Sequence, residues 1–522
     1  MDPEQGGQEN QSAEFYENMK IIAKGTYTIF LSSVIGIFLA YLSKILIIRY
    51  LNSAQYGILS LSITFIGIFA TIFSFGIPAG LVRQASFEVG KGNEKEAEKM
   101  FTTSFFFLLI FSFFAAFSLY IFSPFIASIM HKSELVLPLK IFSLTLPFVM
   151  LRVLIVNIYR CFNRTDVMAL FTNILPNAIK LLCVIIIVYF ALSFKYVVIF
   201  YSFPFIFPSI PLFVYFLRSI EIKIKNFSLN AFRKVLRYSL PLYVPGLINI
   251  ASSNIANIIM GIYLTSSSIG IYFASYSLAS MLGLFLSSVN FLYYPLASSI
   301  CGKGKFEEIK DLYISLTKWV VFFFFPFFIV CILFPKALLL HLFRKNYYLG
   351  WKVLLLLAIA YSIHTTLGPN GMTLFALGKP ESATYMSFAG FVVNATFSII
   401  LIPKIGILGA AILFLASAFI QNTIASLWLY KSYRIHALNK EVLGPFALST
   451  ALTLFFRLIF LKTYQPRLWH YLFLIPLFYA IYFLFMLLLK CVDETDLKLM
   501  RALERKLGIN LKFMKKIVKK LI

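Results

Sequence analysis

The sequence predicts an all-α polytopic membrane fold: about fourteen transmembrane helices in two parallel-repeat six-helix lobes, plus two C-terminal helices. Three observations predict it. First, 60% of the 522 residues are hydrophobic and 13% are charged, whereas a soluble chain carries roughly 25% charged residues. Second, the apolar residues come in runs of about 20, the length a helix needs to cross a hydrocarbon layer of roughly 30 Å. Third, a short sequence pattern recurs in register with those runs.

Residues 1–24 are polar and mixed in charge, so no cleavable signal peptide is expected there. They read as a cytoplasmic segment before an uncleaved anchor at 25–48. Further spans follow at 56–80, 101–123, 136–159, 168–190 and 196–216, completing a first lobe at 25–216. A basic cytoplasmic linker, 217–238, leads to spans at 239–263, 269–298, 316–340, 351–375, 382–402 and 406–430. Those six form the second lobe, 239–430. Spans at 442–461 and 470–490 are an addition. The segment 491–522 holds nine Lys/Arg between Asp493 and Ile522, spaced by Leu, Ile, Phe and Met. It reads either as an amphipathic helix on the anionic cytoplasmic leaflet or as a solvated helix.

Proline recurs inside the spans, notably Pro147, Pro176, Pro369 and the cluster Pro204, Pro208, Pro211. Each removes one helical hydrogen bond and bends the axis. Membrane helices tolerate this where neighbours or water satisfy the freed carbonyl.

The repeat covers two places. Tyr50-Leu51-Asn52-Ser53-Ala54-Gln55-Tyr56-Gly57-Ile58 matches Tyr263-Leu264-Thr265-Ser266-Ser267-Ser268-Ile269-Gly270-Ile271, and Gly90-Lys91-Gly92 matches Gly302-Lys303-Gly304. Six spans separate the copies, an even number, so both halves have the same orientation, a parallel repeat.

The formal charge of +26 is mostly topology. With the N-terminus cytoplasmic, and cations near span ends counted with the adjoining loop, cytoplasmic segments hold 32 of the 47 Lys/Arg and the opposite loops hold 12. This bias places both termini in the cytoplasm of a multi-pass protein of the cytoplasmic (plasma) membrane, and it makes nucleic acid an unneeded partner. The five cysteines show no CxxC spacing and imply neither disulfide framework nor metal.

What topology does not explain is a smaller set of cations. All 21 acidic residues fall outside the apolar stretches, yet Arg152 and Lys180 lie in the middle third of theirs. A charge at that depth costs roughly 2.5–3.5 kcal/mol on insertion scales. Such a cation either binds an anion, Arg as a fork and Lys as a point charge, or is a structural cation satisfied by a carbonyl or by snorkelling. Lys44, four residues from the end of its span, and Arg83, at the cytoplasmic edge of the second, are open to both readings. Arg457, near the outer end of its span, reads as snorkelling.

The second half offers uncharged polar groups instead. Asn249, Asn254 and Asn257, with Ser252 and Ser253, make one helix face, and Asn290 follows in the next span. That face suits sugar hydroxyls, and equally helix–helix hydrogen bonds. His364, near Thr365, Thr366 and Asn370, either titrates in proton coupling, binds ligand, or is satisfied by a neighbouring hydroxyl.

The segments Arg49-Tyr50-Leu51, Tyr56-Gly57, Phe75-Gly76-Ile77-Pro78 with Arg83, and Gly90-Lys91-Gly92 resemble the start of the polysaccharide-transport (O-antigen flippase) family. That family belongs to the multidrug/oligosaccharidyl-lipid/polysaccharide (MOP) exporter superfamily. Gly270-Ile271-Tyr272 with Ser275-Tyr276 resembles the second-lobe counterpart. The resemblance implies a flippase moving a polyprenyl- or dolichyl-linked oligosaccharide by alternating access. It places a cavity between the lobes, and a lipid-tail groove at the last two spans.

Arg152, Lys180, Lys44 and Arg83 then become candidates for the anionic head, and Asn249, Asn254, Asn257, Asn290 and His364 candidates for polar cavity lining. The expected partners are the lipid-linked oligosaccharide, membrane lipids and glycan-assembly machinery. No P-loop, HExxH, GxSxG or metal-ligand spacing is present, so no cofactor or enzyme chemistry is expected. Transport would run on ion or lipid gradients, or passively. A peptidoglycan lipid-precursor flippase fits the same residues. A multidrug/cation antiporter would need an intramembrane carboxylate. A membrane glycosyltransferase or polymerase would need a large outer loop and leaves the repeat unexplained.

Overall fold

The computed structural model describes residues 28–220, 223–302, 304–437, 440–460 and 467–491. Thirteen helices there are long and apolar enough to cross a membrane, and a bent pair, Ser133–Ser143 with Leu146–Cys161, makes a fourteenth span. No strand occurs among the described residues. The N-terminal segment 1–24 and, past Cys491, the basic tail lie outside them.

The helix Glu94–Ile129 shows why these segments fold for lipid and not for water. Ile110, Phe113, Phe117 and Phe125 are 60–62% exposed, whereas Leu108, Ser112, Ala115, Leu119 and Ser123 are fully buried. Both sets recur at spacings of three and four, so they occupy two faces. The large apolar face outward and the small face inward invert the soluble pattern, as close helix packing in a bilayer requires. Two of the inward hydroxyls are satisfied at home: Ser112 and Ser123 each donate to a backbone carbonyl three residues back, at 2.8 Å.

The described chain divides into two compact units between Ile250 and Ala251, inside the helix Leu229–Tyr263. In the first unit, Thr28–Tyr50 and Ser53–Ser74 are consecutive spans. The second ends earlier than the hydropathy run 56–80, because Phe75 and Gly76 turn left-handed (φ 47° and 67°). A separate helix, Ile77–Gly90, follows. It lies close on the Leu229 helix: a Cβ at Gly80 would fall 2.8 Å from the Ser239 backbone nitrogen.

Three spans of this unit break at proline. Pro147 would drive its ring into the carbonyl of Ser143, the last residue of the first helix of the bent pair, and the two halves meet at 43°. Pro176 follows a π-helical turn, Ala169–Ile174, within Thr165–Tyr189. Pro208 separates Phe194–Ile206 from Ser209–Ser219.

The second unit is built on Ser266–Gly302, Phe306–Leu333 and Ile407–Tyr433, with Trp351–Thr366, Asn370–Ala376 and Glu381–Ile405 around them. The last two helices, Lys440–Phe460 and Tyr471–Leu488, dock on Phe306–Leu333 through aromatic contacts. Phe325 lies 4.8 Å from Tyr482 and Phe328 lies 5.6 Å from Phe446, between ring centres.

The sequence repeat acquires a physical meaning. Both copies of the Tyr-Leu motif end one helix and begin the next, at Tyr50/Ser53 and at Tyr263/Ser266. Asn52 caps the first by accepting from the Gln55 amide at 2.9 Å. At the matching position Thr265 accepts from the Ser268 amide at 3.3 Å. Gly92 and Gly304 both adopt positive φ (76° and 71°) in the turns that follow.

Candidate functional site: cations around the sixth span

Two of the four cations singled out by sequence, Lys180 and Arg152, meet the helix Phe194–Ile206 in the first unit, and a third, Lys44, lies within reach of Lys180. Lys180, on Leu175–Tyr189, holds its ammonium over the Tyr201 ring, 5.0 Å from the centroid. Arg152, on Leu146–Cys161, donates from Nη1 to the carbonyl of Pro204 at 3.3 Å. Tyr201 and Pro204 are three residues apart, about 4.5 Å along the helix axis. Lys44, on Thr28–Tyr50, lies within electrostatic reach of Lys180 and sits 5.3 Å from the Tyr41 ring. Its helix runs on to Tyr50, so Lys44 is six residues from the helix end, deeper than the run 25–48 implies.

Close helix contact assembles the cluster. Asn173, in the π-helical turn, donates to Ser32 at 3.1 Å and Ser33 at 3.0 Å. A Cβ at Gly36 would fall 2.5 Å from its carbonyl. The helices bearing Lys44 and Lys180 are therefore held at glycine distance, which forces two like charges into proximity.

Carboxylates are kept away from this cluster. The described ion pairs lie at helix ends, among them Arg164 with Asp166 at 2.8 Å and Lys234 with Glu96 at 2.8 Å. There the hydrogen bond that Lys234 donates to the Glu96 carboxylate holds its ammonium above the usual lysine range. Lys44, Arg152 and Lys180 take part in none of the described pairs. Their neighbours are aromatic faces and a carbonyl, which hold a cation without neutralising it.

Arg83 belongs elsewhere. It does not close the second span but sits, exposed, on the separate helix Ile77–Gly90, with its guanidinium 4.4 Å from the Tyr238 ring. The neighbouring Val82 carbonyl meets Cys161, nine residues or roughly 13 Å along the helix from Arg152.

In the second unit His364 is tied into a closed network. Asn422 Nδ2 donates to Ala418 O at 2.7 Å, which turns its Oδ1 toward His364 Nδ1 at 2.9 Å and Asn370 Nδ2 at 3.2 Å. Nδ1 therefore carries the proton. Asn370 also bonds Ser426 at 3.2 Å, so the network joins three helices across the Gly368-Pro369 break.

The predicted asparagine face is divided. Asn257 donates to Asn254 at 3.3 Å, whereas Asn394 of a neighbouring helix donates to the Ser252 carbonyl at 3.0 Å. Asn249 is exposed, and the buried Asn290 Oδ1 has no hydrogen-bond partner among the described residues.

Sequence reading missed Asn422, although Gln421-Asn422 is a polar pair inside an apolar span. It also missed Lys318, near the start of the run 316–340. Lys318 is completely buried and donates to the Cys491 carbonyl at 2.7 Å. Arg457 does not simply snorkel: Nη1 is buried and its guanidinium lies 5.1 Å from the Phe334 ring. The described residues hold no group of three or more His, Cys, Asp or Glu arranged for a metal, and none of the five cysteines is in a disulfide.

Fourteen spans in two units, with cations but no carboxylate in mid-span in the first, define a polytopic membrane protein with the fold of the MOP transporters. An inward-facing MATE family transporter of that superfamily aligns over 79% of this chain and 98% of its own (TM-score 0.64, 14% identity). Lipid II flippase MurJ, in an inward closed conformation, aligns over 88% and 97% (TM-score 0.71, 17% identity). The chain itself belongs to the polysaccharide biosynthesis protein family, whose model matches residues 22–301. Among relatives, the "Probable low-salt glycan biosynthesis flippase Agl15" of Haloferax volcanii is 27% identical over 169 residues, 32% of this chain. The chain spans about a third of that relative's length, 35%.

Proposed function

We propose that this protein is a flippase. It moves a polyprenyl- or dolichyl-(di)phosphate-linked oligosaccharide across the cytoplasmic membrane by alternating access, for polysaccharide or glycan export. The observation that carries this reading is the placing of Lys180 on Tyr201 and Arg152 on the Pro204 carbonyl of one helix, with Lys44 in reach of Lys180 and none of the three in a described ion pair. Two ammonium groups within electrostatic reach of one another repel. A phosphate oxyanion placed between them turns that repulsion into two attractions, and an arginine fork adds charge-assisted hydrogen bonds. Membership of a polysaccharide biosynthesis family supports the glycan half of the reading. The lack of intramembrane carboxylates argues against a cationic drug as cargo. Both termini face the cytoplasm in this proposal, with the basic tail on the anionic leaflet.

Scrambling of a fluorescent prenyl-diphosphate oligosaccharide in proteoliposomes tests it. Arg152→Ala and Lys180→Ala are each expected to slow translocation about tenfold or more, the equivalent of about 1.4 kcal/mol. Unchanged rates in both variants would remove the cationic-site proposal. Failure of any prenyl-linked glycan to move would remove the function, and a cationic dye moving in its place would point to the antiporter.

A further inference from the structure

The contact between Arg152 and Pro204 has a specific backbone cause. The sixth span stays in helical geometry through its break: Phe207 has φ −59°, ψ −38° and Pro208 has φ −65°, ψ −25°. The rung before the break is intact, with the Phe207 amide donating to Phe203 O at 2.9 Å. The next rung would run from residue 208 to the Pro204 carbonyl, but proline has no N–H to donate. That carbonyl is left open in a segment where an unpaired polar group is costly. Arg152 Nη1 occupies it.

We infer that Pro208 is a positioning residue. By withholding its N–H it keeps the Pro204 carbonyl available as an anchor for Arg152. This rests on the anion-binding reading of the cluster. A guanidinium is a rigid plane with five donors. Fixing one Nη on a carbonyl fixes the plane and leaves the other donors oriented for a phosphate. A lysine, with one rotatable head on a flexible stem, gains no such orientation. The same helical turn carries Tyr201 beneath Lys180, so the break sets one cation and the aromatic ring sets the other. Pro211, three residues on, withholds a proton from the Phe207 carbonyl in the same way, but no arginine is anchored there.

Equilibrium binding of a fluorescent prenyl diphosphate to the purified full-length protein in nanodiscs tests the inference. Pro208→Ala restores the missing donor, so Kd is expected to rise three- to tenfold. Arg152→Ala is expected to raise it tenfold or more, and the double variant no further than Arg152→Ala alone. Pro211→Ala is expected to leave Kd within twofold of the parent. If Pro208→Ala has no effect, or multiplies the loss in the Arg152→Ala background, the inference is overturned while the anion site stands. If Arg152→Ala itself does not change Kd, the anion site falls instead. Should Pro208→Ala fail to fold, Arg152→Lys decides the matter with the sixth span untouched. Loss within threefold of Arg152→Ala supports the anchored plane, and full retention of binding overturns it.

Discussion

Lys318 and Arg152 make the same bond in different settings: each is a cation inside a span donating to a backbone carbonyl. Lys318 is completely enclosed and serves Cys491, just past a helix end where Lys490 turns left-handed (φ 52°) and the Cys491 amide reaches back to Met486 O at 2.9 Å. Such a turn closes a helix C-terminus, where carbonyls lack partners and a cation is favoured. The role is structural, fastening the last span to Phe306–Leu333. Lys318→Ala removes a donor and opens a cavity, so roughly 2–4 kcal/mol of stability should be lost, seen as a lower melting temperature in detergent. Lys318→Met keeps the volume and should lose less. An unchanged melting temperature for Lys318→Ala would refute this assignment. Arg152 is only partly enclosed and uses one of five donors on Pro204, which is why it is assigned to ligand.

Helix breaks in this chain follow two local rules, one by proline and one by capping. Pro147, Pro176, Pro208 and Pro369 all stand at interruptions, yet Pro124, Pro326 and Pro476 lie within continuous helices. Proline alone therefore does not decide: Pro124 frees the Tyr120 carbonyl, Ser123 takes it at 2.8 Å, and the helix runs on. The capping rule is more regular. Asn52 and Thr265 stand at equivalent places in the repeat, and each caps the helix that begins after it. Asn52→Ala and Thr265→Ala should each cost about 1 kcal/mol, with Asn52→Asp nearly neutral, measured by thermal or denaturant unfolding in detergent. Equal stability of Asn52→Ala and the parent would show that the repeated residue is kept for something other than its cap.

For the molecule as a whole, the repeat and the loop cations together predict orientation. If both termini are cytoplasmic, the turn at Lys91 faces the cytoplasm and the turn at Ala191 faces outward. In a background with all five cysteines replaced, Ala191→Cys should react with an impermeant maleimide in right-side-out vesicles, and Lys91→Cys only after permeabilisation. The reverse pattern would invert the topology.

The apolar runs, the exclusion of all 21 acidic residues from them and the capping residues of the repeat were legible in the sequence, because each depends on composition or on neighbours a few positions away. Span edges were less so. The second run was read through the turn at Phe75-Gly76, since hydropathy continues across a left-handed kink that only backbone angles reveal. Depth along a helix, which places Arg152 and Lys180 in mid-span, is also a property of the chain alone.

What tertiary structure alone decided is azimuth. Hydropathy shows how far along a helix a cation lies, not which neighbour its face meets, because lipid and protein interior are both apolar. The close approaches at Gly36 and Gly80 set those faces. Packing carries Lys44 toward Lys180, Lys180 onto Tyr201 and Arg152 onto Pro204, leaves Arg83 on Tyr238, and closes His364 into a network with Asn422.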